Sequence, residues 1–379
     1  MLKGIHLTLF IGPVVPLPAP RIVIDALESV TVTTAAGSAS GFQMSLKINS
    51  QSELNTLFLI TAGQSTTLGM PPLRVMLVVT LNGTPQVLFD GVMTNVQVQP
   101  GENGAAGRIS VTGEDLTKVM DMFDLSGLPY PAMPVPARVA LICAKYAAFG
   151  IIPLPIPPLF LDVPIPIERI PSQRGTDLNY LLQLAREVGY VFYIEPGPVP
   201  GTNIAYFGPE IKVGVPQPAL NVNMDAHTNC ESLSFSFDPT KGALQVVLIQ
   251  NQLTRIPIQI PIPNLNPLQP PLGVLSTPLV KIERMEDTAK LNPVQAIGRG
   301  VAKTAKSQDS VSGSGSLNVL RYGRLLKARQ LVGVRGVGLA YDGLYYVQSV
   351  TSTLKRGEFK QSFNLTRNGL ISITPRVPV

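Results

Sequence analysis

The side chains best suited to catalysis or metal binding are concentrated in one short segment, "DAHTNCE" at residues 225–231. It holds four candidate side chains: Asp225, His227, Cys230 and Glu231. A structural zinc site needs four ligands, and no second His/Cys pair lies near enough in sequence to complete one. A Cys–His nucleophile needs its base beside the thiol in space, which proximity in sequence does not establish. We expect a loop with a buried cysteine, and the alternative is a functional site.

A second group of possible catalytic residues is acidic: Glu114, Asp115, Asp121 and Asp124. Glycoside hydrolases use two carboxylates at a set separation. On a short helix, the same acids also compensate the positive N-terminal end and solvate the surface. The sequence therefore assigns no catalytic, cofactor-binding or metal-binding residue, and we expect no cofactor and no small-molecule substrate.

The elements that would position these residues begin with strands. Asn82-Gly83 separates two apolar runs and predicts a type I′ hairpin turn, because both central residues of that turn need a positive φ. "RIVIDAL", residues 21–27, reads as a further strand. The opening run resembles a signal peptide, but Gly12-Pro13 interrupts it, so we expect a first strand, no signal peptide and assembly in the cytoplasm.

A mixed α/β region follows, and its clearest element is the helix in "GTDLNYLLQLAREVGYVFYIEPG". Thr176 is suited to cap its start, and Gly189 to end it. The apolar residues recur at helical spacing and predict one buried face: Leu178, Leu181, Leu182, Ala185 and Val188.

Strands return towards the C-terminus and end in a long hairpin, "DGLYYVQSVTSTLKRGEFKQSFNLTRNG", whose turn contains Lys355, Arg356 and Gly357. The serine- and glycine-rich passage at 307–320 predicts a flexible or turn-rich connection into a strand. Two stretches are rich in proline, 151–171 and 255–278, and the second predicts an extended insertion that lacks a backbone donor at each proline. Their prolines exclude membrane-spanning helices, so we expect no membrane insertion.

The composition favours a globular, β-rich chain. Of 379 residues, 45% are hydrophobic and 14% charged, with 36 prolines and 33 glycines. The formal net charge is +6, but residues 281–379 contain 16 Lys and Arg against 6 Asp and Glu. A basic region can bind nucleic acid or an acidic protein, and the alternative is a solvated surface.

Three segments together resemble one family. "VLFDGVMTNVQVQP…GRISVTGEDLTKVMDMF" resembles the N-terminal half of the phage late control protein D family, the baseplate hubs of contractile tails and related injection systems. "PSQRGTDLNYLLQLAREVGYVFYIEPG" is similar to its middle signature, which type VI secretion spike proteins share. "LRYGRLLKARQLVGVRGVGLAYDGLYYVQSVTSTLKRGEFKQSFNLTRNGL" resembles its C-terminal segment in tailocin-like and extracellular injection systems.

The resemblance implies a mainly β fold with an α+β middle region: two tube-type antiparallel β-barrels plus a mixed middle domain. The expected domains are 1–125, 126–212 and 213–379, with the proline-rich insertion near 255–278. The family implies a non-enzymatic homotrimer that joins a hexameric inner tube to a trimeric spike, contacts other baseplate proteins and lines the delivery channel. The alternatives are a tail-associated peptidoglycan hydrolase and a nucleic-acid-binding protein that uses the basic C-terminal region.

With that fold in view, the notable residues have structural roles. We expect Asp90-Gly91 to form a tight bend or bulge in the first barrel. Leu181 and Leu182 are expected to hold the middle domain together. The residues at the exposed hairpin tip are expected to contact the next baseplate layer: Lys355, Arg356 and Gly357.

Overall fold

The computed structural model describes most of the chain: residues 4–48, 72–100, 107–158, 163–167, 170–250, 257–262, 268–276, 278, 281–285, 299–301, 303–304 and 307–374. The strands within them are β1 (Ile5–Gly12), β2 (Leu17–Pro18), β3 (Leu27–Ala35), β4 (Gly41–Ile48), β5 (Arg74–Leu81), β6 (Thr84–Gln99), β7 (Gly107–Asp115), β8 (Ile151–Pro155), β9 (Val191–Pro196), β10 (Asn203–Gly208), β11 (Gln217–Asn221), β12 (Cys230–Phe237), β13 (Ala243–Gln250), β14 (Pro257–Ile262), β15 (Gly273–Ser276), β16 (Lys281–Arg284), β17 (Val311–Asn318), β18 (Leu331–Arg335), β19 (Gly343–Lys355), β20 (Glu358–Arg367) and β21 (Gly369–Ser372). The α-helices include α1 (Arg21–Ala26), α2 (Thr117–Met120), α3 (Val135–Ala144), α4 (Asp177–Val188) and α5 (Val319–Tyr322).

One large sheet dominates the fold. It has 13 strands, of which eleven follow the order β12-β17-β20-β19-β3-β4-β7-β6-β5-β1-β2, while β18 joins β19 and β11 joins β18. The N-terminal and C-terminal parts of the chain meet where β3 pairs antiparallel with β19, from Ser29 opposite Lys355 to Ala35 opposite Ser349. The buried apolar side chains of both parts form one core cluster.

The predicted mainly β fold class with an α+β middle region is confirmed. The division into two barrels at the boundaries 1–125, 126–212 and 213–379 stays a prediction. The junction of β3 with β19 was not predicted, because it joins residues more than three hundred positions apart in sequence, as the 318-residue separation between Thr33 and Thr351 illustrates.

The turn between β5 and β6 forms at Asn82 and Gly83, which have φ values of 50° and 82°. The bulge predicted at Asp90-Gly91 lies elsewhere: Leu77 is opposite Phe89 and Val78 opposite Val87, so the extra residue is Leu88. Asp90 and Gly91 pair regularly with β5, because Asp90 has a buried partner on that strand, described below. Gly91 is nevertheless required, since a Cβ there would meet the backbone oxygen of Glu114.

The prediction that "RIVIDAL" forms a strand is wrong. Six of its residues form the helix α1, Arg21–Ala26, rather than a strand. Pro20 precedes the helix with an extended conformation, and its carbonyl accepts hydrogen bonds from the backbone of Val23 and Ile24. Val23 is fully buried, and this single anchor in the core outweighs the β-propensity of the two isoleucines.

The middle region packs two helices, α3 and α4, on a three-stranded sheet of order β8-β10-β9. The hydroxyl of Thr176 caps α4 by accepting from the backbone N–H of Asn179, and Gly189 ends it in the left-handed conformation. The buried face is rotated from the predicted one. Leu181 is fully buried, but Leu182 is only half-buried, because Asp177 and Tyr180 occupy the adjoining buried positions through polar contacts.

The C-terminal hairpin joins β19 to β20. Lys355 lies opposite Glu358, and Gly357 takes a φ of 79° in the turn between them. Lys355, Arg356 and Gly357 are all exposed. The structure thus places these three residues at a solvent-facing tip.

Three segments that the sequence did not predict as strands contribute strands to the fold. The serine- and glycine-rich passage contains β17, an interior strand of the large sheet that pairs with β12 and β20. Both proline-rich stretches contribute strands: β8 pairs parallel with β10, and β14 pairs antiparallel with β13. Each of these proline strands lies at an edge of its small sheet, where a missing N–H is tolerated.

Candidate functional site

The four residues of "DAHTNCE" do not form a reactive centre. His227 and Asp225 are exposed in a short 3₁₀ turn, while Cys230 is buried at the start of β12. Burial raises the pKa of the Cys230 thiol to about 12. At neutral pH this cysteine is therefore a protonated thiol in the core, as the loop interpretation predicted.

The acidic group is used structurally. The Asp115 carboxylate accepts hydrogen bonds from the backbone N–H groups of Ser40, at 2.6 Å, and Thr117, at 3.0 Å. Asp121 accepts from the Thr176 hydroxyl, and Asp124 closes a local turn with Ser126. Burial raises the pKa of Asp115, although its hydrogen bonds act in the opposite direction.

Within the part of the chain that the structure describes, no three His, Cys, Asp or Glu side chains form a metal-binding group.

A polar face lies on one side of the large sheet. It crosses eight adjacent strands, from β12 through β17, β20, β19, β3, β4 and β7 to β6. We define the polar face by its uncharged side chains: Ser232, Ser234, Ser312, Ser314, Ser316, Ser362, Asn364, Ser349, Thr351, Thr353, Thr31, Thr33, Gln43, Ser45, Ser110, Thr112, Asn95 and Gln97.

The strand register aligns these side chains into rows. In one row, Ser316 pairs with Ser362, Ser362 with Thr351, and Thr351 with Thr33. In another row, the members from β19 to β6 are Thr353, Thr31, Gln43, Thr112 and Asn95. Because side chains alternate along a strand, every second residue of each strand contributes to the same face.

Neighbouring side chains of the polar face bind each other. The hydroxyls of Thr33 and Thr351 lie 3.1 Å apart, and those of Ser234 and Ser314 lie 3.0 Å apart. The amide nitrogen of Asn364 donates to the Ser349 hydroxyl at 2.9 Å. These cross-strand bonds leave a surface that is wetted but has part of its hydrogen-bonding capacity already used.

Charged residues lie mainly towards the end of the polar face that carries the hairpin tip. Lys47 and Arg108 pair across strands there, and Arg108 forms an ion pair with Glu28. Lys360 contacts both Glu231 and Glu358. The greater part of the polar face is therefore formed by hydroxyl and amide groups without net charge.

The opposite face of the same strands packs the core. Val30 and Val32 of β3 are buried there, as are Leu354 and Phe363 of the hairpin. Two polar residues of the hairpin also point inward: Gln361 donates to the Ser352 hydroxyl and exchanges hydrogen bonds with the backbone of Leu326. Gln361 thereby fixes the segment that leads into β18.

A buried ion pair joins the large sheet to the middle region. The Arg74 guanidinium binds both carboxylate oxygens of Asp90, at 2.8 and 2.6 Å. Asn203 of β10 donates to the same carboxylate at 2.9 Å, and Arg74 also donates to the Gly201 carbonyl at 3.3 Å. The sequence had predicted that Asp90 lies in a tight bend or bulge. Its actual role as a junction could not be read from the sequence, because its partners lie on separate elements.

The middle region contains a second buried polar cluster around Asp177. Its carboxylate accepts from Lys145, Tyr146 and Gln173, and Gln173 accepts in turn from the Tyr130 hydroxyl. Burial, followed by the nearby charge of Asp177, raises the pKa of Tyr130 to about 12. All of these side chains have partners, so the cluster serves to hold α4 against its neighbours.

Comparison with solved structures shows which fold this is. A tail protein from Neisseria meningitidis MC58 matches with a TM-score of 0.62 and 14% identity, covering 97% of this chain and 98% of that one. The 43 kDa tail protein of prophage MuSo2 from Shewanella oneidensis matches with a TM-score of 0.58 and 12% identity, covering 96% of this chain and 98% of that one. The fold is that of phage tail proteins.

The same fold occurs in a larger assembly. A chain of the Francisella PdpA–VgrG complex in its lidded form matches with a TM-score of 0.61 and 8% identity, and this chain covers 54% of it. No family model and no curated protein matches the sequence. The likeness predicted from sequence motifs to contractile-tail and type VI spike proteins is thus confirmed at the level of the fold.

No helix within the described residues has the length and apolar character needed to cross a lipid bilayer.

Proposed function

We propose that this chain is a structural component of a contractile phage tail or injection-system baseplate, with no catalytic step of its own. It acts as a homotrimeric hub that adapts a sixfold inner tube to a threefold spike. The observation that carries the proposal is the polar face, which we infer lines the delivery channel of the assembled particle.

The chemistry of the polar face suits a surface along which a macromolecule must pass. Hydroxyl and amide groups keep the channel wetted, and the scarcity of charge over most of the face avoids tight binding of either an acidic or a basic cargo. The cross-strand hydrogen bonds between its own side chains reduce the number of free donors and acceptors offered to a passing chain. A wall of this kind needs no specificity for its cargo.

Exposed apolar residues support assembly with other subunits. Ile152 and Leu154 of β8 are 54% and 48% exposed, and Ile167 is 96% exposed. Val274 and Leu275 of β15 are more than half exposed. Both proline-rich stretches thus present apolar side chains to solvent, as expected of surfaces that neighbouring baseplate proteins or other protomers cover.

A cysteine-labelling experiment tests the channel. Ser314→Cys places a thiol on the polar face, and Lys241→Cys places one on an exposed turn as control. In the free protein, both a small maleimide and a polymer-bearing maleimide should modify both variants. In assembled particles, the thiol of the Ser314→Cys variant should react with the small maleimide only. If neither reagent reacts there, the face is a dry interface; if both react, it is outside the channel.

The trimer is tested separately. Light scattering on the purified protein alone should give the mass of three chains, and mixing with the trimeric spike protein should give that mass plus the mass of the spike. A monomer under both conditions at high concentration would contradict the hub proposal.

Ile167→Glu and Leu275→Glu should reduce incorporation into baseplates without lowering the melting temperature, since both side chains are exposed. Normal incorporation of both variants would remove the proposed neighbour contacts.

A further inference from the structure

A cavity of about 310 Å³ lies at the hairpin-tip end of the large sheet. Its walls come from β1, α1, β3, α5 and the hairpin, and its apolar lining includes Leu7, Ile24, Leu27, Leu320, Leu354 and Phe359. Ile24 is 43% exposed, so the cavity opens to solvent as a groove. The lining offers an apolar side chain a place to bury itself.

One wall of the groove is an open strand edge. β1 pairs with β5 along its whole length, but its other edge pairs with β2 only at Phe10 and Ile11. Leu9 uses its carbonyl there to accept from the backbone of Ala19. Within the described residues, no strand covers the outer edge of residues 5–8. An open edge of this kind presents backbone donors and acceptors to an added strand.

The rim of the groove carries two cations, Lys355 and Arg356, that form no salt bridge with a described residue, beside two carboxylates that have cationic partners. The carboxylate of Glu28 is bound by Arg108 at 2.8 Å, and that of Glu358 by Lys360 at 3.0 Å. Lys355 has no ionic partner among the residues that the structure describes, and Arg356 donates only to the backbone carbonyl of Asp25. The two cations that line the groove are therefore free to bind an acidic group.

We propose that this groove docks an extended segment of another protein, added as a strand to the open edge of β1. Alternate apolar side chains of that segment enter the cavity, and carboxylates at one of its ends bind Lys355 and Arg356. The three observations select this occupant together: the edge requires an extended backbone, the lining requires apolar residues, and the rim requires negative charge. The proposal goes beyond the hub function, because it does not depend on the trimer or on the channel.

Two pools of nine-residue fluorescent peptides test the occupant. Both pools have random apolar residues alternating with threonine, and they differ in ending with two aspartates or two lysines. Fluorescence anisotropy with the full chain should show the aspartate pool binding at least about tenfold more tightly than the lysine pool, and the difference should shrink as salt is added. Equal affinity of the two pools, or no binding of either, overturns the proposal.

Variants separate the three components of the site. Lys355→Glu combined with Arg356→Glu should reverse the preference between the two pools, and Ile24→Gln should weaken the aspartate pool about tenfold. Lys241→Glu and Leu141→Gln are the matched controls, as both change exposed residues outside the groove and should leave binding unchanged. If the controls reduce binding as much as the groove variants, the peptides bind elsewhere and the proposal fails.

Backbone methylation tests the added strand directly. A peptide N-methylated at alternate positions can pair along only one of its edges. Methylation of one alternating set of residues should abolish binding, and methylation of the other set should preserve it. Equal binding of the two methylated peptides would exclude strand addition. If light scattering shows that the groove variants instead disrupt a self-assembled form of the free protein, the occupant is a second copy of this chain, and the proposed foreign segment is wrong.

Discussion

Arg74 and Asp90 lie on neighbouring strands and form a two-pronged ion pair, with both side chains removed from solvent. The Asp90 carboxylate also receives the Asn203 amide, so one carboxylate fixes the sheet and the middle region in a single arrangement. This buried polar junction adds to the apolar packing between the two regions, in which Val92 of β6 belongs to the core cluster of the middle region.

Asp90→Ala should destabilise the protein by about 3–5 kcal/mol, because it leaves the buried Arg74 guanidinium without its counter-charge. Urea unfolding measured by circular dichroism gives the free energy of unfolding. The control is Glu28→Ala, which removes the exposed partner of Arg108 and should cost less than about 1 kcal/mol. Similar losses for the two variants would mean that the buried pair has no special role.

Leu181→Ala should cost about 2–5 kcal/mol, because it opens a cavity in the middle of a fully buried helix face. Leu182→Ala removes the same atoms one position away on a half-buried side chain and should cost clearly less. Thermal unfolding of both variants measures the difference. A larger effect at Leu182 would restore the helix orientation predicted from the sequence.

Gly315→Ala should destabilise the large sheet by about 1–3 kcal/mol, through overpacking. A Cβ at this position would meet the backbone oxygen of Ser232 and would approach the Phe363 ring to 2.8 Å. Ser314→Ala, the neighbouring substitution on the polar face, should change the free energy of unfolding by no more than about 0.5 kcal/mol. Tolerance of alanine at 315 would show that the backbone of β12 and the Phe363 ring both shift to make room.

The two native thiols should be unreactive in the folded protein. Burial raises the pKa of Cys230 to about 12, and burial together with the charge of Asp177 raises that of Cys143 to about 12. Because the thiolate is the reactive form, a colorimetric disulfide reagent at neutral pH should detect no thiol in the native protein and two thiols in denaturant. Rapid native reaction would contradict the burial of these residues.

Local signals in the sequence predicted the elements that depend on local chemistry. Asn82-Gly83, the Thr176 cap and the Gly189 stop each specify a backbone conformation within a few residues, and each lies where expected. The hairpin around Gly357 belongs to the same class. Turns and helix ends were predictable because their energetics involve only neighbours in the chain.

Elements that depend on distant partners were not predictable. The passage containing Gly313 and Gly315 indicated a flexible connection, yet it is an interior strand, because the rings of Phe235 and Phe363 pack over the two glycines. In the same way, hydroxyl residues alternate within several separate strands, including the hairpin. Their alignment with Thr31 and Thr33 requires the pairing of β3 with β19, which no local pattern reveals.

The pairing of β3 with β19 also bears on how the protein forms during synthesis. β3 emerges from the ribosome long before its partner, since Thr33 and Thr351 are 318 positions apart. Until then, one edge of β3 has no partner, and long-range strand pairing of this kind is slow and prone to aggregation. The backbone donors and acceptors of β3 on that side thus stay unpaired through most of the synthesis of the chain, until β19 has been made.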